Sequence, residues 1–400
     1  MQVNDDQGNS VQLSLWWRVV SLMAFAVVLR PPVAGVGPLL PEISSDLALS
    51  SAAESALASI PIVCFGLGAF LTPAFVRKFG LNLGIQLIAT MLVAGIVMRS
   101  LGDLPLVFVG STLVGIAIAL GNTALPTAIK QDFPDKITMM TGSYTTVMVT
   151  MAAIAATIAV PLAGSDGTDW RTSLLWWAIP AALAWLLWLP HARHGSSAEI
   201  SHARVTVWRQ SAAWTVAVFM GLQSISFYAV MAWLPSVLQD SGFTPTDAGY
   251  LLGFSSFAGI PMGLVIAPIL RRNEWLAPAT VVVSLIAVVG TAGLAVNPAS
   301  LTVLWLLLIG VGQGSAFPLA LNLITLRAAD RDVTTALSAV AQGGGYLIAA
   351  VGSYAFGALH GWVGNWTLPL WVLTAIAVAQ TVVGWFAAQP QPIHADTVRP

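Results

Sequence analysis

The chain has 400 residues, 57% of them hydrophobic and 8% charged, with a mean hydropathy of +0.82. Water-soluble domains carry about 25% charged residues, so this composition excludes an ordinary soluble globule and sets most of the surface against lipid. A net charge of −1 excludes the basic footprint of a nucleic-acid binder, and a single cysteine, Cys64, excludes an intrachain disulfide or a cysteine metal site.

The first fifteen residues are polar and carry Asp5 and Asp6, without the basic stretch and small-residue cleavage site of a secretory signal. A short cytoplasmic tail is expected there. A helix crossing about 30 Å of hydrocarbon needs about 20 mostly apolar residues. Such windows fall at 17–40, 53–76, 81–100, 104–129, 137–162, 172–190, 211–238, 246–270, 275–295, 301–326, 333–359 and 366–388. The alternating pattern of a β-barrel is absent, so the backbone polar groups must be satisfied within helices. The expected fold is all-α, a polytopic membrane protein of twelve transmembrane helices. Cys64 lies in the apolar run from Ile60 to Leu71 and reads as core filler.

Basic residues orient the spans. With the N-terminus inside, the cytoplasmic segments hold Arg18, Arg77, Lys78, Lys130, Lys136, Arg193, Arg204, Arg209, Arg271, Arg272, Arg327, Arg331 and Arg399, whereas the outer loops hold only Arg99 and Arg171. Arg30 alone falls deep inside a span rather than at its end. Both termini are therefore expected in the cytoplasm; the expected location is a bacterial inner membrane.

An internal repeat divides the chain. A shift of 194 lays residues 39–57 on 233–251, matching Pro41 with Pro235, Asp46 with Asp240 and Leu57 with Leu251. The same shift puts Arg77-Lys78 on Arg271-Arg272. A shift of 197 lays Lys130 on Arg327, Asp135 on Asp332 and Thr138 on Thr335. The expected units are two pseudo-symmetric six-helix bundles, 1–190 and 211–400, joined by a polar cytoplasmic linker over 191–210. His191, His194 and His202 in that linker fit a solvated loop better than a metal site.

The run LRPPVAGVGPLLPEI (29–43) resembles the first-span signature of the cyanate / 2-nitroimidazole transporter family, within the major facilitator superfamily. Similar to that family as well are GIAIALGNTALPTAIKQDFP (115–134), FYAVMAWLPSVL (227–238), GVGQGSAFPLALNLITLRA (310–328) and ALSAVAQGGGYLIAAVG (336–352). The resemblance implies two parallel six-span halves around a midplane site and a small anion or heteroaromatic compound as solute. The segment PAFVRKFG (73–80) stands where the superfamily's loop motif is expected, but the motif's Asp is missing and only Arg77-Lys78 and Gly80 remain.

Arg30 is the first candidate for solute contact. It lies thirteen positions after Trp17, about 20 Å into the first span, where a guanidinium costs about 2.5–3.5 kcal/mol on insertion scales. It cannot shed its proton, so it must face a wet cavity, an acidic partner or an anionic ligand. Pro31, Pro32, Gly35, Gly37 and Pro38 follow, which predicts a broken or kinked helix. No Asp or Glu lies in the apolar runs except Glu54 and Asp247, each at the outer start of its window and at a different depth, so the positive charge suits an anionic or electron-rich solute. The alternative is that Arg30 bonds carbonyls freed by the prolines.

Other candidates to line the cavity are Asn122 and Tyr144 of spans four and five, Gln223, Phe227 and Tyr228 of span seven, Gln313 and Phe317 of span ten, and Gln342 and Tyr346 of span eleven. Membrane amides also glue helices to one another, and that reading stays open for each. Arg77, Lys130, Asp135, Arg327 and Asp332 are candidate gating residues, with ordinary positive-inside loops as the alternative. No GxxxxGK[ST] pattern exists, so ATP drive and other cofactors are not expected. Proton coupling needs a titratable group within the membrane, and only Glu54 and His360, both near the outer surface, offer one. The leading expectation is a secondary active or facilitative transporter, working as a monomer on a small molecule by alternating access. A proton-antiporting drug exporter of the same fold is the alternative. A polytopic enzyme lacks the clustered nucleophile, base or metal ligands it would need.

Overall fold

The computed structural model describes residues 14–164, 168–192, 206–262, 265, 273–329 and 331–394. Sixteen α-helices can be numbered along these residues: α1 (Leu15–Val28), α2 (Pro31–Ala34), α3 (Leu40–Asp46), α4 (Ser51–Phe79), α5 (Leu81–Leu101), α6 (Leu104–Asp132), α7 (Ile137–Leu162), α8 (Trp170–Leu175), α9 (Ala178–Ala192), α10 (Ser211–Asp240), α11 (Pro245–Gly259), α12 (Asn273–Val296), α13 (Thr302–Arg327), α14 (Arg331–Ser338), α15 (Gly345–Val363) and α16 (Thr367–Ala387). A π-helical turn, Ala339–Gly344, joins α14 to α15. One isolated bridge, Ala328 with Ile393, is the extended pairing recorded among the described residues.

Eleven helical segments among the described residues are long and apolar enough to cross a membrane. They coincide with eleven of the twelve expected windows. In the remaining window, 246–270, α11 covers the first part, while residues 263, 264 and 266–272, including Arg271 and Arg272, lie outside the described residues. The first span runs further than expected, to Asp46, because Pro41 sits in the first turn of α3, where its missing N–H costs no bond.

Hydroxyl caps start three of the helices, α1, α4 and α11. The Ser14 hydroxyl accepts from the Trp17 amide at 3.3 Å, and that of Ser50 from the Ala53 amide at 3.3 Å. Thr244 accepts from the Asp247 amide at 3.1 Å and donates to its carboxylate at 2.7 Å, with Pro245 in the first turn. Ser50 and Thr244 are 194 positions apart, the shift of the internal repeat. At the end of α4, Gly80 takes φ +76°, a conformation disfavoured for other residues, which is why this glycine of the loop motif stands.

Helices of the first half pack α5 on α6 and α9, and α1 on α9 and α7. Those of the second half pack α12 on α13 and α16, and α10 on α15 and α16. Between the halves, α4 lies along α15 and α7 along α11. These junctions lack room for side chains. A Cβ on Gly37 would lie 2.2 Å from the Met231 carbonyl oxygen, one on Gly253 1.8 Å from the Thr157 hydroxyl, and one on Gly357 2.5 Å from the Ser55 hydroxyl of α4. All three contacts lie toward the end opposite Leu15, which we term the far end, so the halves meet closely there.

The far end also carries a matched pair of clamps. The Trp170 indole donates to Asp46 at 3.1 Å, and the Trp366 indole to Asp240 at 2.7 Å. Asp46 and Asp240 are repeat partners. Arg171 completes the first clamp, pairing with Asp46 at 3.2 Å and lying 4.2 Å over the Trp170 ring. His360 stacks on Trp366 at 3.7 Å in the second. At the near end, Arg18 pairs with Asp132 at 3.9 Å. Burial pushes the Asp132 carboxyl above its ordinary range, against the opposite pull of Arg18.

Two expectations are corrected. His191 is not in a solvated loop: α9 continues through Pro190 to Ala192, and the ring is buried, stacked on Trp188 at 4.4 Å and 3.5 Å from the Ser21 hydroxyl. His194 and His202 lie outside the described residues. Arg99 is not in an outer loop but in the last turn of α5, and is 2% exposed. Cys64 is buried, as expected, with its thiol 3.7 Å from the Thr112 carbonyl.

Candidate functional site

The first span is broken where the prolines require it. Without N–H groups, Pro31 and Pro32 cannot donate to the carbonyls of Val27 and Val28, and α1 ends at Val28. Arg30 stands in the gap as the residue preceding α2, and its carbonyl accepts from Val33 and Ala34, both at 3.0 Å. The residue as a whole is partly exposed. Its Nη1 donates to the Tyr228 hydroxyl at 3.3 Å, and its guanidinium carbon lies 5.9 Å from the centre of the Phe65 ring.

An aromatic triangle surrounds that contact. Phe65, Tyr228 and Tyr346 have ring centres 5.8–6.1 Å apart pairwise. Phe227 meets Tyr228 edge to face at 5.1 Å. Tyr144 is also within electrostatic reach of Arg30. The two ion pairs among the described residues, Arg18–Asp132 and Arg171–Asp46, are both remote from Arg30. Its polar neighbour is a phenol, a poor counter-charge, so the site is net positive.

Three of the sequence candidates thus gather at Arg30, Tyr144, Tyr228 and Tyr346, and a fourth, Phe227, packs on Tyr228. The amides are placed differently. The Gln223 amide is spent on its own helix, donating to the Met220 carbonyl at 3.1 Å and to the Ser224 hydroxyl at 2.6 Å. Gln313 donates to the Ser226 carbonyl at 3.0 Å, tying α13 to α10. Gln342 lies in the π-helical turn and donates to the Ser338 hydroxyl at 2.7 Å. Asn122, in α6, keeps a buried side-chain oxygen with no donor. Phe317 is half-buried against the core.

Of the gating candidates, Arg327 is 5% exposed and donates to the carbonyls of Ala387 and Ala388 at the end of α16. It therefore caps a helix here, as cations do at carboxyl ends. Burial lowers its affinity for the proton. Arg77 and Asp135 are exposed. The side chains of Lys130 and Asp332 lie outside the described residues.

Three features escaped the sequence. Phe65 is one more apolar residue in an apolar run, with nothing to mark it as a ring beside a cation. The π-helical turn carries Gln342 and two glycines; such turns recur at functional sites, and the Gly343-Gly344-Gly345 run was its only trace. The third is Arg99, whose Nη1 donates to the Pro32 carbonyl at 2.6 Å. That carbonyl is free because Val36 bonds to Val33 instead. Capping a freed carbonyl, the alternative role weighed for Arg30, thus falls to Arg99.

The arrangement has the chemistry of recognition rather than reaction: a fixed cation, phenols and apolar rings. Among the described residues no cluster of metal ligands occurs. The sequence matches the family model described as Major Facilitator Superfamily over residues 19–348. It is 34% identical to the 2-nitroimidazole transporter of Escherichia coli (strain K12), over 94% of this chain and 96% of that one. It is 33% identical to the uncharacterized transporter YycB of Bacillus subtilis (strain 168), over 96% of both. Identity to the cyanate transport protein CynX of E. coli is 27%, over 90% and 94% of the two chains. The fold is similar to the crystal structure of a D-xylose-proton symporter, with a TM-score of 0.77 at 14% identity over 94% of this chain and 99% of that one.

Proposed function

The chain belongs to the major facilitator superfamily, and from that premise we propose that it moves a small anionic or electron-rich solute by alternating access, with Arg30 holding the solute. It is a membrane transporter and not an enzyme. The observation that carries the reading is the Arg30 guanidinium, set at a helix break, hydrogen-bonded to a tyrosine and paired with no carboxylate among the described residues. A cation that cannot lose its proton and has no protein counter-charge is stabilised by a bound anion through charge-assisted bonds, each contributing about 1.5–3 kcal/mol. The aromatic triangle adds flat apolar surface, suited to a linear anion or a nitroheterocycle. Relatives named for 2-nitroimidazole and for cyanate support that solute class.

The units proposed are bundles 1–190 and 211–400, joined through 191–210. With basic residues gathered at the near end, the near end faces the cytoplasm of a bacterial inner membrane, and the close glycine contacts of the far end seal the outside. In the opposite state these contacts separate, and Arg77, Lys130, Asp135, Arg327 and Asp332 close the inner end.

Uptake into proteoliposomes, run over small anions and nitroheterocycles with and without a pH gradient, tests this. Saturable uptake of one member, abolished in Arg30→Ala while the variant folds and inserts, is the expected result. Wild-type rates in that variant would move the site elsewhere.

A further inference from the structure

Arg99 is buried, permanently charged and only partly satisfied. Nη1 is spent on the Pro32 carbonyl, while Nε and Nη2 have no acceptor. Those two nitrogens form one edge of the guanidinium, the fork that grips an oxyanion by two parallel bonds. A buried donor left without an acceptor destabilises the fold, more so when it is charged. A carbonyl cap alone needs one N–H and does not account for the free edge.

Arg99 lines a small cavity together with Ser111, Tyr228, Ala58 and Gly37. Its walls are displaced from Arg30 toward the far end by about a turn on each helix. Ala58 and Pro61 precede Phe65 on the descending α4, and Met231 and Ala232 follow Tyr228 on the ascending α10. The cavity of about 30 Å³ holds one or two water-sized occupants. Tyr228 borders it and also bonds Arg30, so the two guanidinium groups share a phenol. The position of Arg99 is fixed by close backbone packing, since a Cβ on Gly110 would lie 2.5 Å from the Arg99 amide nitrogen.

We propose that Arg99, with Ser111 and Tyr228, forms a second anion site on the far-end side of Arg30, holding a monovalent anion of two or three heavy atoms. This rests on the reading of Arg30 as an anion site. The second site is a station on the outward path, which an anion occupies on its way to or from Arg30. Its size excludes a nitroheterocycle, so it selects among solutes that Arg30 admits.

Equilibrium binding of radiolabelled cyanate to the purified full-length chain separates the two sites. The expected result is two cyanates per wild-type chain at saturation, and one each for Arg99→Gln and Arg30→Gln. Ala58→Leu fills the cavity while leaving Arg99 and its Pro32 bond in place, and is also expected to bind one, which a merely structural arginine would not produce. If Arg99→Gln fails to fold, Ala58→Leu carries the test. Wild-type stoichiometry of one, or of two retained in Ala58→Leu, overturns the second site. Unchanged binding in Arg30→Gln overturns the central one, and no saturable cyanate binding in wild type overturns both.

Discussion

The bond between Arg30 and Tyr228 joins the two halves of the chain through side chains 198 positions apart. Tyr228→Phe keeps the ring and removes the acceptor, a loss of about 1 kcal/mol. Apparent solute affinity is expected to fall about fivefold in uptake assays, with maximal rate little changed. Asp132 gives a second prediction. Burial makes its folded carboxyl hold a proton to higher pH than in the unfolded chain, despite Arg18. Its contribution therefore favours the fold in acid and fades as pH rises through the raised value. Thermal melts of Asp132→Asn are expected to lose that part of the pH slope above about pH 4, the ordinary carboxylate range. Arg30 was legible in the sequence because a guanidinium deep in an apolar run conflicts with its solvent. Arg99 was not, because the end of an apolar run is an ordinary place for a snorkelling arginine. What buries it is the freed Pro32 carbonyl, 67 positions away.

Helix breaks and caps were the elements best written in the sequence. Pro31-Pro32 marked the gap in the first span, and the repeat shift aligned Asp46 with Asp240 before either was seen to accept from a tryptophan. The tryptophans stayed hidden as clamp residues because Trp is common at membrane interfaces for its own sake. Asp240→Asn weakens one charge-assisted bond and is expected to cost about 1 kcal/mol of far-end stability, read as a lowered melting midpoint. Gly253 is stricter. Any side chain there meets the Thr157 hydroxyl across the junction of α7 and α11. Gly253→Val is expected to hold the far end apart and cut transport more than tenfold. A double variant with Thr157→Gly should recover part of it. The amides show where reading types of residue stops: Gln223, Gln313 and Gln342 each found acceptors within the protein, which spacing alone does not reveal.

At the scale of the whole molecule, apolar length and the repeat carried the all-α transporter fold, because a bilayer leaves few other ways to satisfy a backbone. Solute identity is not written at that scale, since one fold hosts many cargoes. Coupling is a property of the whole cycle. Glu54 stands at the start of α4 and accepts from Ser44 at 3.2 Å, away from Arg30. Glu54→Gln is expected to keep at least half of wild-type uptake, and uptake of thiocyanate, which carries no proton, to be unresponsive to a pH gradient.

The most direct test of an anion at Arg30 is a structure determined with selenocyanate, whose selenium locates the ion by anomalous scattering. A selenium peak within about 6 Å of the Arg30 guanidinium, lost in Arg30→Gln, is the predicted result. An empty cleft at saturating ion, or Arg30 paired with a carboxylate in that structure, would contradict it.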